Sequence, residues 1–224
     1  MNEIILAIVI ILLFTIFIII TRCLLSNDHY HIKGTIDINT LRTGDILSVS
    51  QKGYEIDTFI FFESIWRHSG IVFIKDGKPY VIEVSGRSTK NKEGVNIFDL
   101  STWFYIYKKR NILLTRLYGG NNISSNAIDQ LYDKTKHVRR CRSYWNKRRL
   151  LQVNPYCDKL NDSYDCYEYA VYLLQQLGIV KKVKLASSYS SKDVAFGILD
   201  TNLPYYYKVD REIDVRDQLY QNIL

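Results

Sequence analysis

Proline, glycine and cysteine are all scarce in this chain of 224 residues, which holds 3 Pro, 11 Gly and 4 Cys. So few prolines and glycines exclude a collagen-like or low-complexity chain, and 47% apolar residues exclude a disordered one. The length suits one globular domain whose core is large enough to fold without disulfides or a bound metal. We therefore expect a single folded unit.

The cysteines also argue against a structural metal, because their spacing matches no zinc-binding pattern. The sequence contains no C-x-x-C pair and no H-x-x-x-H partner. The four cysteines are Cys23, Cys141, Cys157 and Cys166. We expect mostly free thiols, and neither a metal nor a cofactor.

One apolar run stands out near the N-terminus. Every residue from 4 to 20 is apolar except Thr15, and residues up to 25 extend the run to the ~20 needed to cross a bilayer. A cleaved signal peptide, the alternative, would open with basic residues, whereas this chain opens Met1-Asn2-Glu3. We therefore expect a transmembrane anchor at 4–25.

Basic residues follow this run and none precedes it, because Arg22 and Lys33 are the first in the chain. The positive-inside bias then predicts a single-pass membrane protein with its domain on the cytoplasmic side. Apolar residues do not recur at helical or strand spacing in residues 26–36, so we expect this segment to be a polar spacer. Residues 37–224 predict the folded domain.

The domain shows strand patterns in its first half and helical patterns in its second. Short runs rich in Ile, Val, Tyr and Phe predict strands at 45–49, 70–74, 80–84 and 113–117. Apolar residues at helical spacing predict a helix around 128–135 and another from Cys166 to Leu177, which Gly178 ends. This order predicts an α+β fold, with an antiparallel sheet followed by the helix that carries Cys166.

A predicted hairpin brings a histidine and a glutamate together. Asp76-Gly77 is typical of a two-residue turn, and with that turn Glu83 lies opposite Gly70. His68 and Glu83 then share one face as diagonal neighbours, roughly 7–8 Å apart at the backbone, whereas a loop of odd length would separate them. Glu83 stands in the apolar run 81–84, where burying a carboxylate is costly unless a partner satisfies it. We expect His68 to be that partner.

Cys166 is placed to act as a nucleophile. Asp165 as N-cap and Glu168 three residues later predict a capping box, which puts Cys166 in the first helical turn. There the helix dipole and the free backbone N–H groups favour the thiolate and could also stabilise an oxyanion. The two carboxylates oppose the thiolate, so a His68 imidazolium must compensate, with Glu83 orienting the ring.

Each of these residues also has a purely structural interpretation. Cys166 lies on an apolar helical stripe, where a cysteine is commonly a small core residue. His68 at the start of a strand is commonly a hydrogen-bonded structural residue, and Glu83 could be a carboxylate on an edge strand. Taken separately, the three signals are weak.

Four segments in order carry a further signal, followed by a looser match at Ser188-Tyr189-Ser190-Ser191-Lys192-Asp193. The four are Leu41-Arg42-Thr43-Gly44-Asp45-Ile46-Leu47, Trp66-Arg67-His68-Ser69-Gly70-Ile71-Val72, Val81-Ile82-Glu83-Val84 with the later Glu93-Gly94-Val95, and Tyr164-Asp165-Cys166-Tyr167-Glu168. Together they resemble the circularly permuted branch of the NlpC-type papain-like cysteine hydrolases, which also contains the lecithin:retinol acyltransferase-like proteins and viral members. In that branch the histidine precedes the cysteine.

The resemblance covers about residues 41–195. It implies a circularly permuted papain-like α+β fold, with Cys166 as nucleophile, His68 as base and Glu83 as the orienting residue. Ser69 stands where many relatives have Val, which is a small change in the strand. The tract 121–161 has no clear counterpart.

We therefore expect a membrane-anchored thiol hydrolase that cleaves an amide, peptide or ester bond through a Cys166 acyl-enzyme. One alternative is an acyltransferase or phospholipid deacylase at the bilayer, and another is a catalytically inactive membrane adaptor with the same fold.

The net charge of +7 favours anionic partners in general. Residues 134–149 carry eight Lys or Arg, which are usually a solvated face. An anionic lipid is the better functional partner for this run, because no nucleic-acid-binding motif accompanies it.

Overall fold

The fold is built around one large β-sheet. A computed structural model describes residues 7–17, 32–50, 65–85, 94–119, 123–140 and 163–221. Within these ranges the chain forms nine strands, six α-helices and two short 3-10 helices. This is a mixed α/β architecture.

The strands in chain order are β1 Lys33–Gly34, β2 Ile46–Ser50, β3 Trp66–Lys75, β4 Lys78–Ser85, β5 Gly94–Asp99, β6 Ile112–Tyr118, β7 Arg139–Arg140, β8 Ser163–Tyr164 and β9 Tyr206–Ile213. Seven of them form one sheet in the order β1-β9-β6-β2-β3-β4-β5, and β7 pairs with β8. Neighbours in the large sheet are antiparallel except β1 and β9.

The helices in chain order are α1 at 7–17, α2 Leu100–Ile106, α3 Ser125–Thr135, α4 Cys166–Gln176, α5 Ser191–Ala195 and α6 Val215–Gln221. The 3-10 helices are Ile38–Thr40 and Ala186–Ser188.

Helices cover both faces of the large sheet. On one face, residues of α3, α4 and α5 such as Leu173 pack with Ile71 of β3. On the other face, residues of α2 and α6 such as Trp103 pack with Val72 of the same strand. Neighbouring residues of β3 thus face opposite cores, as strand geometry requires. His68 lies four residues before Val72 on the same strand, so its side chain points to the same face of the sheet, which is the face that α2 covers.

The predicted hairpin between β3 and β4 is confirmed. Asp76 and Gly77 have φ of 51° and 74°, the two positive values that a type I′ turn requires. The ladder runs from Lys75 and Lys78 beside the turn to Ile71 and Ile82, in the predicted register. Turn chemistry therefore sets which side chains of the two strands share a face.

The predicted helix at Cys166 is also confirmed. It begins at Cys166, is capped at its start by Asp165, and ends at Gln176, with Leu177 as its C-cap and Gly178 after it at a φ of +73°. The capping box between Asp165 and Glu168 is present as expected. Cys166 is thus the first residue of α4.

Several elements of the sheet were not predicted. β9 joins the sheet beside β6 after the helix that carries Cys166, so the sheet is not complete in the first half of the chain. β1 lies within the segment interpreted as a polar spacer and pairs in parallel with β9, Lys33 beside Glu212. β5 and α2 follow each other directly and also lacked a sequence prediction.

The prediction of a transmembrane anchor at 4–25 is wrong. In that region the structure describes residues 7–17, which lie in helix α1. Across all described ranges, no helix combines the length and apolarity needed to span a membrane. Residues 4–6 and 18–25 lie outside the described residues.

Two further predictions depended on that anchor and are corrected with it. These are the single-pass membrane location, with its domain on the cytoplasmic side, and the fold class of a papain-like α+β domain preceded by a transmembrane helix. The described chain is instead a mixed α/β fold with a seven-stranded sheet and six helices.

Gly70 lies where β3 and β4 approach closely, so adding a side chain there should destabilise the sheet. A Cβ atom on Gly70 would lie 2.5 Å from Cγ1 of Val81, whose β-branched side chain has little freedom to move away. We expect Gly70→Ala to lower the free energy of unfolding in urea by about 1–3 kcal/mol.

Gly34→Ala is the matched control. Its added Cβ would meet only the end of the flexible Arg211 side chain, at 3.9 Å. We expect it to change the free energy of unfolding by less than about 0.5 kcal/mol. Equal losses in the two variants would contradict the close packing of β3 against β4.

Candidate active site

Glu83 on β4 is the buried carboxylate around which the site is arranged. Its side chain is 1% exposed, and its Oε2 lies 2.6 Å from Nε2 of His68. Nε1 of Trp103 donates to the same oxygen at 2.6 Å. The hydroxyl of Tyr107 donates to Oε1 at 3.2 Å, and Ser85 adds a further side-chain hydrogen bond. These bonds offset the cost of removing the carboxylate from water.

His68 on β3 lies between Glu83 and Cys166. The predicted contact between His68 and Glu83 is confirmed, and it uses Nε2 of the ring. The Cys166 side chain lies beside the same imidazole and raises its pKa. Glu83 engages Nε2, which leaves Nδ1 as the nitrogen available to the thiol. The Tyr107 ring packs against the imidazole, with their centroids 5.3 Å apart. His68 therefore connects the carboxylate to the thiol.

Cys166 is a free and almost fully buried thiol, 3% exposed. Its Sγ donates to the carbonyl oxygen of Arg67 at 3.3 Å, and the N–H of Ser69 hydrogen-bonds to the sulfur. Both backbone groups belong to β3 beyond the last ladder pair with β4, which is Ile71 with Ile82. The sulfur thus contacts β3 where its pairing with β4 has ended.

The three groups shift one another's protonation. Burial acts to lower the pKa of His68, but the Glu83 carboxylate and the Cys166 thiol beside the ring raise it well above its ordinary value. Burial acts to raise the pKa of Glu83, but His68 and the surrounding donors hold it below its ordinary value. Burial and the Asp165 carboxylate raise the pKa of Cys166 against the opposing effect of His68. The resting site is therefore carboxylate, imidazolium and thiol.

Two of the backbone N–H groups at the start of α4 are already engaged. Asp165 accepts from the N3 backbone N–H in the capping box, and its Oδ1 also accepts from the N–H of Cys166 at 2.8 Å. We expected these N–H groups to be free for an oxyanion. The N–H of Cys166 becomes available to one only when the Asp165 side chain turns away.

Two residues of the site were missed by the sequence analysis, namely Trp103 and Tyr107. They stand four residues apart, one turn of α2, and both are buried. Their indole N–H and phenol O–H need partners when buried, just as Glu83 needs donors, and this shared need is the signal that could have linked them. Their approach to Glu83 depends on tertiary packing, which the local pattern does not show.

The other predicted features lie partly outside the described residues. Of the basic run at 134–149, the structure describes residues up to 140, including the exposed Lys134 and Lys136. Its contact with anionic lipid stays a prediction. Cys23, Cys141 and Cys157 lie outside the described residues. Within the described part of the chain, no group of three or more His, Cys, Asp or Glu residues could hold a metal ion.

Comparison with known proteins identifies no family. No protein-family model matches the chain, and no curated protein matches it. One solved structure with some likeness is that of the metalloprotein yiiX from Escherichia coli O157:H7, a DUF1105 protein. It is 16% identical, with a TM-score of 0.38, over 76% of this chain and 89% of that one. At that TM-score the likeness supports no conclusion about fold or function.

Asp165 should hold back the reactivity of Cys166, so neutralising it should increase labelling by iodoacetamide. Asn caps a helix about as well as Asp, so Asp165→Asn removes the charge beside the sulfur and keeps the start of α4. The pKa of Cys166 should then fall, and the labelling rate at neutral pH should rise by about threefold or more. In the unchanged protein the rate should climb through the alkaline range, because the pKa of Cys166 is raised.

Asp37→Asn is the matched control, because Asp37 caps the 3-10 helix Ile38–Thr40 at an exposed position. Mass spectrometry of the Cys166 peptide gives the labelling rate in each variant. A rate unchanged by Asp165→Asn, with the helix content retained, would contradict the electrostatic effect of Asp165.

Proposed function

We propose that this chain is a cysteine hydrolase that cleaves an amide, peptide or ester bond through an acyl-enzyme on Cys166. One observation carries the proposal. The imidazole of His68 is hydrogen-bonded to the buried carboxylate of Glu83 and lies beside the Cys166 thiol, close enough for the ring and the thiol to shift each other's pKa. A thiol beside an imidazole that a carboxylate orients is the arrangement used for nucleophilic catalysis.

The reactive form carries one proton fewer than the resting form. The thiol of Cys166 releases its proton to solvent water, which leaves a thiolate beside the imidazolium of His68. The thiolate attacks the carbonyl carbon, forming a C–S bond as the carbonyl electrons move to oxygen. The imidazolium then gives its Nδ1 proton to the leaving amine or alcohol as the C–N or C–O bond breaks, and a thioester remains.

Water completes the cycle. Neutral His68 takes a proton from a water molecule whose oxygen attacks the thioester. The C–S bond breaks, a carboxylic acid leaves, and the thiolate and imidazolium are restored. If an alcohol or amine replaces water, the same steps transfer the acyl group. Acyl transfer or lipid deacylation is therefore the alternative within this chemistry.

The order of the sequence motifs supports the proposal. Histidine, glutamate and cysteine follow one another as in the permuted NlpC-type hydrolases that the sequence resembles, and the three residues that carry the resemblance are the three that meet. The roles of Cys166, His68 and Glu83 as nucleophile, base and orienting residue are proposed on that combination.

A second candidate is a catalytically inactive adaptor. The observation that favours it is the state of Cys166, a residue that is 3% exposed and whose sulfur donates to a backbone carbonyl. Its raised pKa points the same way. In an adaptor these features would be permanent, whereas in a hydrolase they describe a resting state that substrate binding changes.

Selective labelling of Cys166 tests the two candidates. In the full-length protein, the hydrolase requires that a small electrophile modify Cys166 faster than Cys23, Cys141 and Cys157 although burial raises the pKa of its resting thiol, because the His68 imidazolium stabilises the thiolate once it forms. His68→Ala should slow labelling of Cys166 by about tenfold or more, since the opposing effect of His68 on the thiol pKa is lost. Glu83→Gln should slow it less.

Competition separates the substrate classes, because an occupied site excludes the probe. Peptides should slow labelling if the enzyme is a peptidase or amidase, and phospholipid vesicles should slow it if the substrate is a lipid. Equal labelling of all four cysteines, unaffected by His68→Ala in a folded protein, would favour the adaptor.

A further inference from the structure

Trp103 of α2 and Tyr107, the residue that follows α2 as its C-cap, hold the carboxylate that orients His68. α2 begins where β5 ends, at the N-cap Asp99, which pairs with Tyr80 of β4. Because the connection has no loop, α2 folds back over β4 and brings Trp103 above Glu83. The N–H of Tyr107 donates to the carbonyl of Trp103, so the two side chains stand one helical turn apart.

We propose that Trp103 and Tyr107 are positioning residues that hold Glu83 as an acceptor-only carboxylate and so determine which nitrogen of His68 faces Cys166. The inference rests on the proposed function for its catalytic meaning. The effect on the protonation of Glu83 and His68 does not depend on whether the chain is a hydrolase.

The geometry explains how two residues that do not contact Cys166 can affect it. An ionised carboxylate that accepts from an indole N–H at 2.6 Å and a phenol O–H at 3.2 Å carries no proton of its own to donate. Nε2 of His68, at 2.6 Å from Glu83, must then carry a proton. Nδ1 is left as the nitrogen that exchanges a proton with the thiol or a leaving group.

Removing a donor should change the titration of the pair in a defined direction. Among the described residues, the titratable groups that face Glu83 are His68 and Tyr107, and those that face Cys166 are His68 and Asp165. A hydrogen-bond donor stabilises the Glu83 carboxylate more when the His68 ring is neutral than when the ring is an imidazolium that already offsets the negative charge. Losing a donor should therefore raise both titration steps of the pair, that of the carboxyl and that of the ring.

A purely structural role predicts the opposite for the ring. If Trp103 and Tyr107 only filled space, removing them would admit water and weaken the interaction of Glu83 with His68. The pKa of His68 would then fall towards its ordinary value. The direction of the change in the upper step therefore separates the two roles.

Nitrogen-15 NMR of the histidine rings in the full-length protein can measure both steps. The variants are Tyr107→Phe, which removes one hydroxyl and keeps the ring, and Trp103→Phe, which removes the indole N–H. The His68 signals are identified by their loss in His68→Ala. We expect each variant to raise the carboxyl step by about one pKa unit and the ring step by less.

Two residues of the same helix provide controls. Tyr105→Phe makes the same chemical change as Tyr107→Phe at an exposed position, and Phe104→Leu reduces a buried ring that contacts Trp103 without bonding to Glu83. Neither should raise the ring step. A pKa of the His68 ring that is unchanged or lowered in both Tyr107→Phe and Trp103→Phe would overturn the proposal. This pKa is measured over the pH range in which the protein remains folded.

The outcome is independent of the hydrolase proposal. If both steps rise but Cys166 is not labelled selectively, the positioning role stands and the proposed function fails. If Cys166 is labelled selectively but neither step rises, the proposed function stands and Trp103 and Tyr107 are packing residues only.

Discussion

The burial of the Glu83 charge is the constraint on which the rest of the site depends. A carboxylate that is 1% exposed is tolerated only where donors surround it, and removing one partner of a buried ion pair typically costs about 3–5 kcal/mol. β3 must therefore present His68 beside β4, and α2 must fold back so that Trp103 and Tyr107 reach the same oxygens. The hairpin, the loopless connection to α2 and the orientation of the imidazole all satisfy this one requirement.

The site combines side chains from the two opposite faces of the sheet. His68 and Glu83 lie on the face that α2 covers, whereas Cys166 begins α4, which packs on the opposite face. They meet because the β3–β4 ladder ends at Ile71 and Ile82, which leaves backbone groups of β3 for the sulfur. The thiol therefore occupies a position that a continuous ladder would fill, and it is buried and protonated in the resting structure as a consequence.

The parts of this arrangement that sequence could predict are those set by local chemistry. Asp76-Gly77 specifies a turn, and Asp165 with Glu168 specifies a helix start, so the register of His68 with Glu83 and the place of Cys166 followed from short segments. The donors from α2 and the strand β9 could not be predicted, because both depend on contacts between distant segments. The predicted transmembrane helix is not found within the described residues, where no helix is long and apolar enough to span a membrane.

The most direct test of the account is to trap the acyl-enzyme. The full-length protein is mixed with an activated ester, quenched in acid and examined by mass spectrometry. The account predicts one acyl group per chain, located on Cys166, released by hydroxylamine as a thioester, absent in Cys166→Ser and strongly reduced in His68→Ala. Acylation found only on lysines, or equal acylation of Cys166 with and without His68, would contradict the claim that Glu83, His68 and Cys166 form one nucleophilic unit.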